Sequence, residues 1–137
     1  MKITKTQNSR LANTDFNKLE FGRTFSDHML MCKFQDGQWQ EAEILPYQPL
    51  SFAPGTHVFH YGQAVFEGMK AFKNKQGQTL LFRPEANMNR LNQSANRLCM
   101  PSIPSSIFMD GLKSLLMLDE QWIPEGNTKS LYIRPFM

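Results

Sequence analysis

The sequence predicts an α+β domain with a mostly antiparallel sheet and two helices packed on it. Three observations lead to this fold class. Asp36-Gly37 between two apolar segments is a strong signal for a β-hairpin with a two-residue turn. Two stretches with apolar residues at helical spacing follow in the second half of the chain, and a short alternating strand comes last. Strands, then helices, then a strand are typical of an α+β arrangement.

Composition limits the class of protein. The 137 residues fit one domain that can bury a core, and 41% hydrophobic against 20% charged residues favours a folded chain. The net charge of +3 is small and dispersed, so we expect neither a nucleic-acid nor a membrane partner. Cys32 and Cys99 lie far apart, which favours buried thiols in a reducing compartment over a disulfide or a zinc site. With no apolar run of membrane-spanning length and no secretory signal, we expect a cytoplasmic protein.

The first half of the chain divides into an arm and short strands. Residues 1–18 are rich in Asn, Thr, Gln and Lys and are expected to form an extended N-terminal arm, and residues 19–137 the domain itself. An apolar strand is predicted at residues 28–34, with a return strand over 38–44 after the hairpin turn. A second antiparallel pair is predicted from 69 to 82, around a turn at residues 74–77.

The second half holds the two helices. Proline suits the first helical position, so Pro84 is predicted to begin the first helix, whose buried stripe is Met88, Leu91, Ala95 and Leu98. The second is predicted to begin after Pro104 with a serine cap. Its buried stripe is predicted to comprise Ile107, Phe108, Leu112, Leu115 and Leu116. Residues 130–137 form the final predicted strand.

Residues 57–72 are the densest in groups that could bind or orient a ligand. Two interpretations remain open for the aromatic residues Tyr61, Phe66 and Phe72, namely ordinary core aromatics or site residues. Glu67-Gly68 is interpreted as a tight turn into the following strand. His57, His60 and Glu67 do not have the spacing of a metal-ligand set.

Three further residues have alternatives that the pattern does not decide. Arg90 lies on the polar side of the first predicted helix, where it could hold a phosphate, or could lie at the surface and interact with Glu85 or with solvent. Tyr132 and Arg134 share one face of the last strand, which could bind a carboxylate or face solvent. The chain stops in an apolar strand at Met137, so we expect a second domain to follow.

Four segments together resemble the N-terminal half of a branched-chain amino acid aminotransferase, a fold-type IV enzyme that uses pyridoxal 5'-phosphate. They are residues 21–30 (FGRTFSDHML), 60–72 (HYGQAVFEGMKAF), 81–90 (LFRPEANMNR) and 130–135 (SLYIRP). They occur in the same order as in the family, and the resemblance runs from about Phe21 to Met137, which is nearly all of the predicted domain. The resemblance implies that this chain is the small N-terminal domain of such an enzyme.

The resemblance also assigns residue roles. It implies that Arg90 holds the cofactor phosphate and that the Tyr61 hydroxyl helps to orient the substrate carboxylate. Phe21, Phe66 and Tyr132 would form walls of the branched side-chain pocket, and Arg134 would let that pocket accept glutamate. The implied reaction transfers an amino group between leucine, isoleucine or valine and 2-oxoglutarate in a homodimer, where some of these residues serve the neighbouring subunit.

The resemblance leaves the catalytic residue outside this chain. In the family, a lysine of the larger second domain forms the Schiff base with the cofactor, and no lysine here matches it. The chain alone is therefore expected to be inactive. D-amino acid aminotransferases and aminodeoxychorismate lyases share the fold, but the segment at 21–28 and the strand at 132–134 favour the branched-chain enzyme. The alternative from another class is a stand-alone, non-catalytic binding or assembly module.

Overall fold

The computed structural model describes residues 1–126 and 129–137. Within them, eight short strands form three small sheets. The strands are β1 (Lys2–Ile3), β2 (His28–Met31), β3 (Phe34–Gln35), β4 (Gln38–Trp39), β5 (Glu43–Pro46), β6 (Met69–Lys73), β7 (Thr79–Leu81) and β8 (Leu131–Ile133). The α-helices are α1 (His57–Tyr61), α2 (Pro84–Arg97) and α3 (Gly111–Leu118). The predicted α+β class with mainly antiparallel pairing is confirmed.

The first sheet has the order β1-β5-β2, with β1 parallel and β2 antiparallel to β5. The segment expected to form an extended arm lies against this sheet, because its first residues are β1. Further along, the backbone N–H of Thr6 donates to Nε2 of His28 over 2.9 Å, and that of Arg10 donates to Asp27 over 3.0 Å. These bonds tie the N-terminal residues to the start of β2.

The predicted hairpin is present, with Asp36 and Gly37 at φ 53° and 77° between β3 and β4. Positive φ at both central residues is the geometry that an Asp-Gly pair favours. The predicted return strand over 38–44 is wrong in extent, because two separate strands, β4 and β5, occupy this part of the chain. Strand β4 pairs with β3, whereas β5 pairs with β2 in the other sheet.

The second three-stranded sheet, ordered β7-β6-β8, is entirely antiparallel and carries the main core. Helix α2 begins at Pro84 as predicted, and Met88, Leu91 and Ala95 are buried in that core. The placement of Leu98 in the buried stripe is wrong. The helix ends at Arg97, so Leu98 lies outside its regular turn and is exposed.

The serine cap predicted for the next helix is also wrong. Ser105 already has helical angles and makes no capping hydrogen bond, and a π-helical turn at Ser106–Asp110 precedes α3. Of the predicted stripe, Phe108, Leu112 and Leu116 are buried, and the other two members are half-buried. Gly111 allows close packing, since a Cβ there would lie 2.6 Å from Cδ2 of Leu30. The glycine therefore lets α3 approach β2.

Two further findings complete the comparison with the prediction. The sequence did not indicate α1, a five-residue helix that ends at Gly62 with φ 61°. The thiols expected to be buried are not, because Cys99 is exposed and Cys32 half-buried. In the described part of the chain, no helix combines the length and apolar character needed to cross a membrane.

Candidate functional site

Four of the six predicted site residues lie together beside β8, in a group we call the aromatic cluster: Phe21, Phe66, Tyr132 and Arg134. The ring of Phe21 packs edge-on against Tyr132 with centroids 5.1 Å apart. The Arg134 guanidinium stacks over Phe66 at 4.3 Å and donates to the Tyr132 hydroxyl from Nη2 over 2.8 Å. The cluster therefore offers an apolar surface that carries one positive charge.

The alternation predicted for the last strand explains this arrangement. Leu131 and Ile133 pack against the core, so Tyr132 and Arg134 are on the other face of the sheet. On that face an added Cβ at Gly68 would overlap the Tyr132 hydroxyl. The tyrosine therefore depends on a glycine beneath it.

Arg90 forms a two-pronged ion pair with Glu67. Nε donates to Oε1 over 2.5 Å and Nη2 to Oε2 over 2.8 Å. Asn87, one turn earlier on α2, donates to Oε2 over 2.8 Å. Glu67 is only 5% exposed, and the Arg90 hydrogen bonds, outweighing desolvation, lower the pKa of its carboxyl to about 2. The carboxylate thus stays ionised.

Two sequence interpretations are corrected by this pair. Glu67-Gly68 is not a tight turn, because Glu67 lies in an extended segment and its N–H donates to the Pro135 carbonyl over 2.9 Å. The surface partner suggested for Arg90 was Glu85, whereas the observed partner is Glu67. The guanidinium remains accessible, with the Arg90 side chain 67% exposed. It can therefore bind a further anion.

Glu67 and Asn87 are the two residues here that sequence reasoning missed. A usable signal for Glu67 was its position two residues before Met69 and four before Ala71, both in the core. Period two puts these three residues on one face of the strand, towards α2. A carboxylate on that buried face requires a partner, and Asn87 and Arg90, three residues apart, share the side of α2 next to the buried Leu91.

Tyr61 is not part of either group. It lies at the end of α1, 79% exposed, and packs edge-on against His57 at 5.4 Å. With Gln63 and Leu98 these residues line a shallow pocket. The interpretation of Tyr61 and Phe66 as core aromatics is wrong, because the Phe66 side chain is also 63% exposed. Within the described residues, no group of three or more potential metal ligands occurs.

Comparison with curated proteins gives one consistent family. The chain is 48% identical over its whole length to branched-chain-amino-acid aminotransferase 2 of Bacillus subtilis strain 168, covering 37% of that protein. It is 46% identical over 90% of its length to a probable branched-chain-amino-acid aminotransferase of Staphylococcus aureus strain MRSA252, covering 34% of that protein. The corresponding enzyme of Mycolicibacterium smegmatis is 43% identical over 85% of this chain, which covers 32% of it.

A comparison with models of protein families returned no match. The chain spans about a third of the length of the curated relatives that it matches. The identity to all three relatives is above 40% and extends along most or all of this chain. Along most or all of its length, the chain is therefore similar to part of these branched-chain-amino-acid aminotransferases.

Proposed function

We propose that this chain is the small domain of an enzyme that transfers an amino group between leucine, isoleucine or valine and 2-oxoglutarate, with pyridoxal 5'-phosphate as cofactor. The observation that carries the proposal is the 48% identity to a branched-chain-amino-acid aminotransferase over the whole of this chain. The cofactor would supply the electron sink for the reaction and would be bound by a lysine beyond this chain. We further propose a cytoplasmic homodimer that acts in branched-chain amino-acid biosynthesis.

The donor groups of this chain fit a phosphate at Arg90. An arginine has five N–H donors, and Glu67 occupies one on Nε and one on Nη2. The two N–H donors of Nη1 and the second N–H donor of Nη2 remain free of Glu67, and they lie on the edge of the guanidinium farther from the side-chain stem, which we call the outer edge. Two parallel N–H groups match two oxygens of a phosphate, and the exposure of Arg90 leaves that edge open. We therefore propose Arg90 as the residue that holds the cofactor phosphate.

The aromatic cluster fits the other end of the reaction. Phe21, Phe66 and Tyr132 offer apolar surface for a branched side chain, and Arg134 offers a cation for the side-chain carboxylate of glutamate. A transaminase of this specificity must accept both kinds of side chain at one place. Tyr61, whose hydroxyl is proposed to orient the substrate carboxylate, would serve from its exposed position on α1.

The test uses the intact protein and measures glutamate formed from 2-oxoglutarate with each branched-chain amino acid. We expect transfer with all three, and no transfer would overturn the proposed reaction. Arg90→Ala is expected to weaken pyridoxal 5'-phosphate binding about 10- to 100-fold, because a charge-assisted contact is lost. Arg97→Ala, at an exposed arginine in the last turn of the same helix, is the matched control and should bind normally.

A further inference from the structure

The pairing of Glu67 with Arg90 has a directional consequence. The carboxylate contacts the edge of the guanidinium formed by Nε and Nη2, which is the edge nearer the aliphatic part of the Arg90 side chain. Two contacts of this kind fix both the position and the plane of the group. The donors left over then point away from Glu67 in one defined direction. An arginine with no such partner, exposed to the extent that Arg90 is, would sample many rotamers.

The carboxylate is itself held in place. Asn87 and Arg90 lie one turn apart on the same side of α2, and both donate hydrogen bonds to the Glu67 carboxylate. The carboxylate is therefore held by two side chains of one helix. The rest of the Glu67 side chain is buried, and its backbone N–H is paired with Pro135. The contacts therefore run from the backbone-paired segment at Glu67, through its buried carboxylate, to an exposed guanidinium.

The charge of Glu67 also alters what Arg90 can bind. A carboxylate at hydrogen-bonding distance offsets most of the single positive charge seen from afar, so an anion gains little from charge alone. The gain comes instead from two aligned hydrogen bonds to the outer edge, which a tetrahedral oxyanion can accept. The pair therefore favours a phosphate monoester over a ligand that makes one contact.

We propose that Glu67 is a positioning residue, which holds the Arg90 guanidinium so that its outer edge faces the phosphate of the cofactor. This inference rests on the proposed function, because it takes Arg90 to be the phosphate-binding residue. Glu67 itself does not touch the ligand. Its contribution is that the arginine is already oriented before binding, so less side-chain freedom is lost when the phosphate arrives.

The experiment compares two ligands that differ only in the phosphate, using the intact protein freed of cofactor. Dissociation constants for pyridoxal 5'-phosphate and for pyridoxal are measured by absorbance titration, and their ratio isolates the phosphate contact. For Glu67→Gln we expect the lost orientation to outweigh the positive charge that the substitution uncovers on Arg90, so that the preference for the phosphorylated ligand falls about tenfold while pyridoxal binding changes less than twofold. Glu85→Gln, at an exposed carboxylate in the first turn of α2, is the matched control and should keep the preference.

The same titrations on Arg90 variants separate the two proposals. Arg90→Ala should remove the preference, and Glu67→Gln in that background should change nothing more. A preference that survives in Arg90→Ala overturns the phosphate assignment of the proposed function, and the positioning role with it. If Arg90→Ala loses the preference and Glu67→Gln keeps it, only the positioning role is overturned. Equal weakening of both ligands in Glu67→Gln likewise indicates a purely structural role.

Thermal unfolding of the cofactor-free variants completes the design. Should Glu67→Gln fail to unfold cooperatively, Asn87→Ala decides instead, because it removes one of the three hydrogen bonds that hold the carboxylate and keeps the charges of Glu67 and Arg90. We expect that variant to lose about threefold of the preference. An unchanged ratio in a folded Asn87→Ala protein overturns the positioning role.

Discussion

Replacing Gly68 by alanine should displace Tyr132 and, through it, Arg134. An alanine Cβ would overlap the tyrosine hydroxyl and lie 3.1 Å from Cζ and 3.2 Å from Cε2. Carbon atoms at their optimum are about 3.5–4.0 Å apart, so the end of the ring must move by about 1 Å. Phe21 packs against the ring, and both Nε and Nη2 of Arg134 donate to its hydroxyl. The displacement therefore reaches the guanidinium.

The energies for folding and for substrate binding differ in size. Alanine in extended backbone gains about 0.5–1 kcal/mol over glycine, whereas overpacking costs about 1–3 kcal/mol. The Tyr132 ring is half-buried and can tilt outward, so we expect a net loss of about 1 kcal/mol in the free energy of unfolding. A misplacement of about 1 Å near reacting groups can cost up to about 100-fold in rate. We expect about a tenfold loss in kcat/KM for glutamate, and a smaller loss for leucine, which under the proposed function would not need Arg134.

The assay is steady-state transamination by the intact protein in both directions, with chemical unfolding in parallel. Gly111→Ala is the control, because its Cβ would press on Leu30 at the contact of α3 with β2, away from the aromatic cluster. It should lose stability without the change in glutamate kinetics. Tyr132→Phe removes the overlapping oxygen, so adding Gly68→Ala to it should cost less than in the wild type. Unchanged glutamate kinetics in Gly68→Ala would refute the reasoning.

Two other outcomes follow from buried polar groups. Asp119 accepts from the backbone N–H of His28 over 3.0 Å and contacts its Nδ1 over 2.6 Å, so Asp119→Ala should cost about 2–4 kcal/mol in urea unfolding, and Asp119→Asn less. Glu67 has a folded-state pKa of about 2 against an ordinary 4.5, so it stabilises the fold fully above pH 5 and loses this as pH falls through that interval. Glu67→Gln should therefore show a flatter acid dependence, with a neutral-pH loss of up to about 3 kcal/mol, whereas Glu85→Gln should retain the wild-type slope.

Local signals predicted the elements whose boundaries are set by backbone chemistry. Asp36-Gly37 and Pro84 each impose a conformation that few neighbours can override, and both turned out where expected. The errors occurred where tertiary contacts decide. Leu98 is outside the core because α2 ends one residue before it, and α3 is preceded by a π-helical turn. The spacing of apolar residues in the sequence does not indicate either feature.

The candidate site shows the same division. Alternation along residues 131–134 correctly predicted which side chains share a face, but not that Phe21 and Phe66 arrive there from distant segments. Arg90 stood out as a basic residue beside a complete apolar stripe. Its partner is 23 positions away, whereas Glu85, the partner suggested for a surface pair, is five positions away on the same helix. Long-range pairing of this kind depends on which segments of the chain come together in the fold, and spacing within one helix does not record this.

One register sets both parts of the candidate site. In the extended segment before β6, Glu67 faces α2 and Arg90, whereas its neighbour Gly68 faces Tyr132 and the aromatic cluster. A slip of one residue would exchange these faces, placing a carboxylate under the tyrosine and a glycine under the arginine. Paired backbone hydrogen bonds between Val65 and Met137, of 3.0 and 2.9 Å, hold the segment in place. The ion pair and the aromatic cluster therefore depend on the same register. We expect substitutions that loosen this pairing to impair phosphate binding and side-chain selection in the same variant.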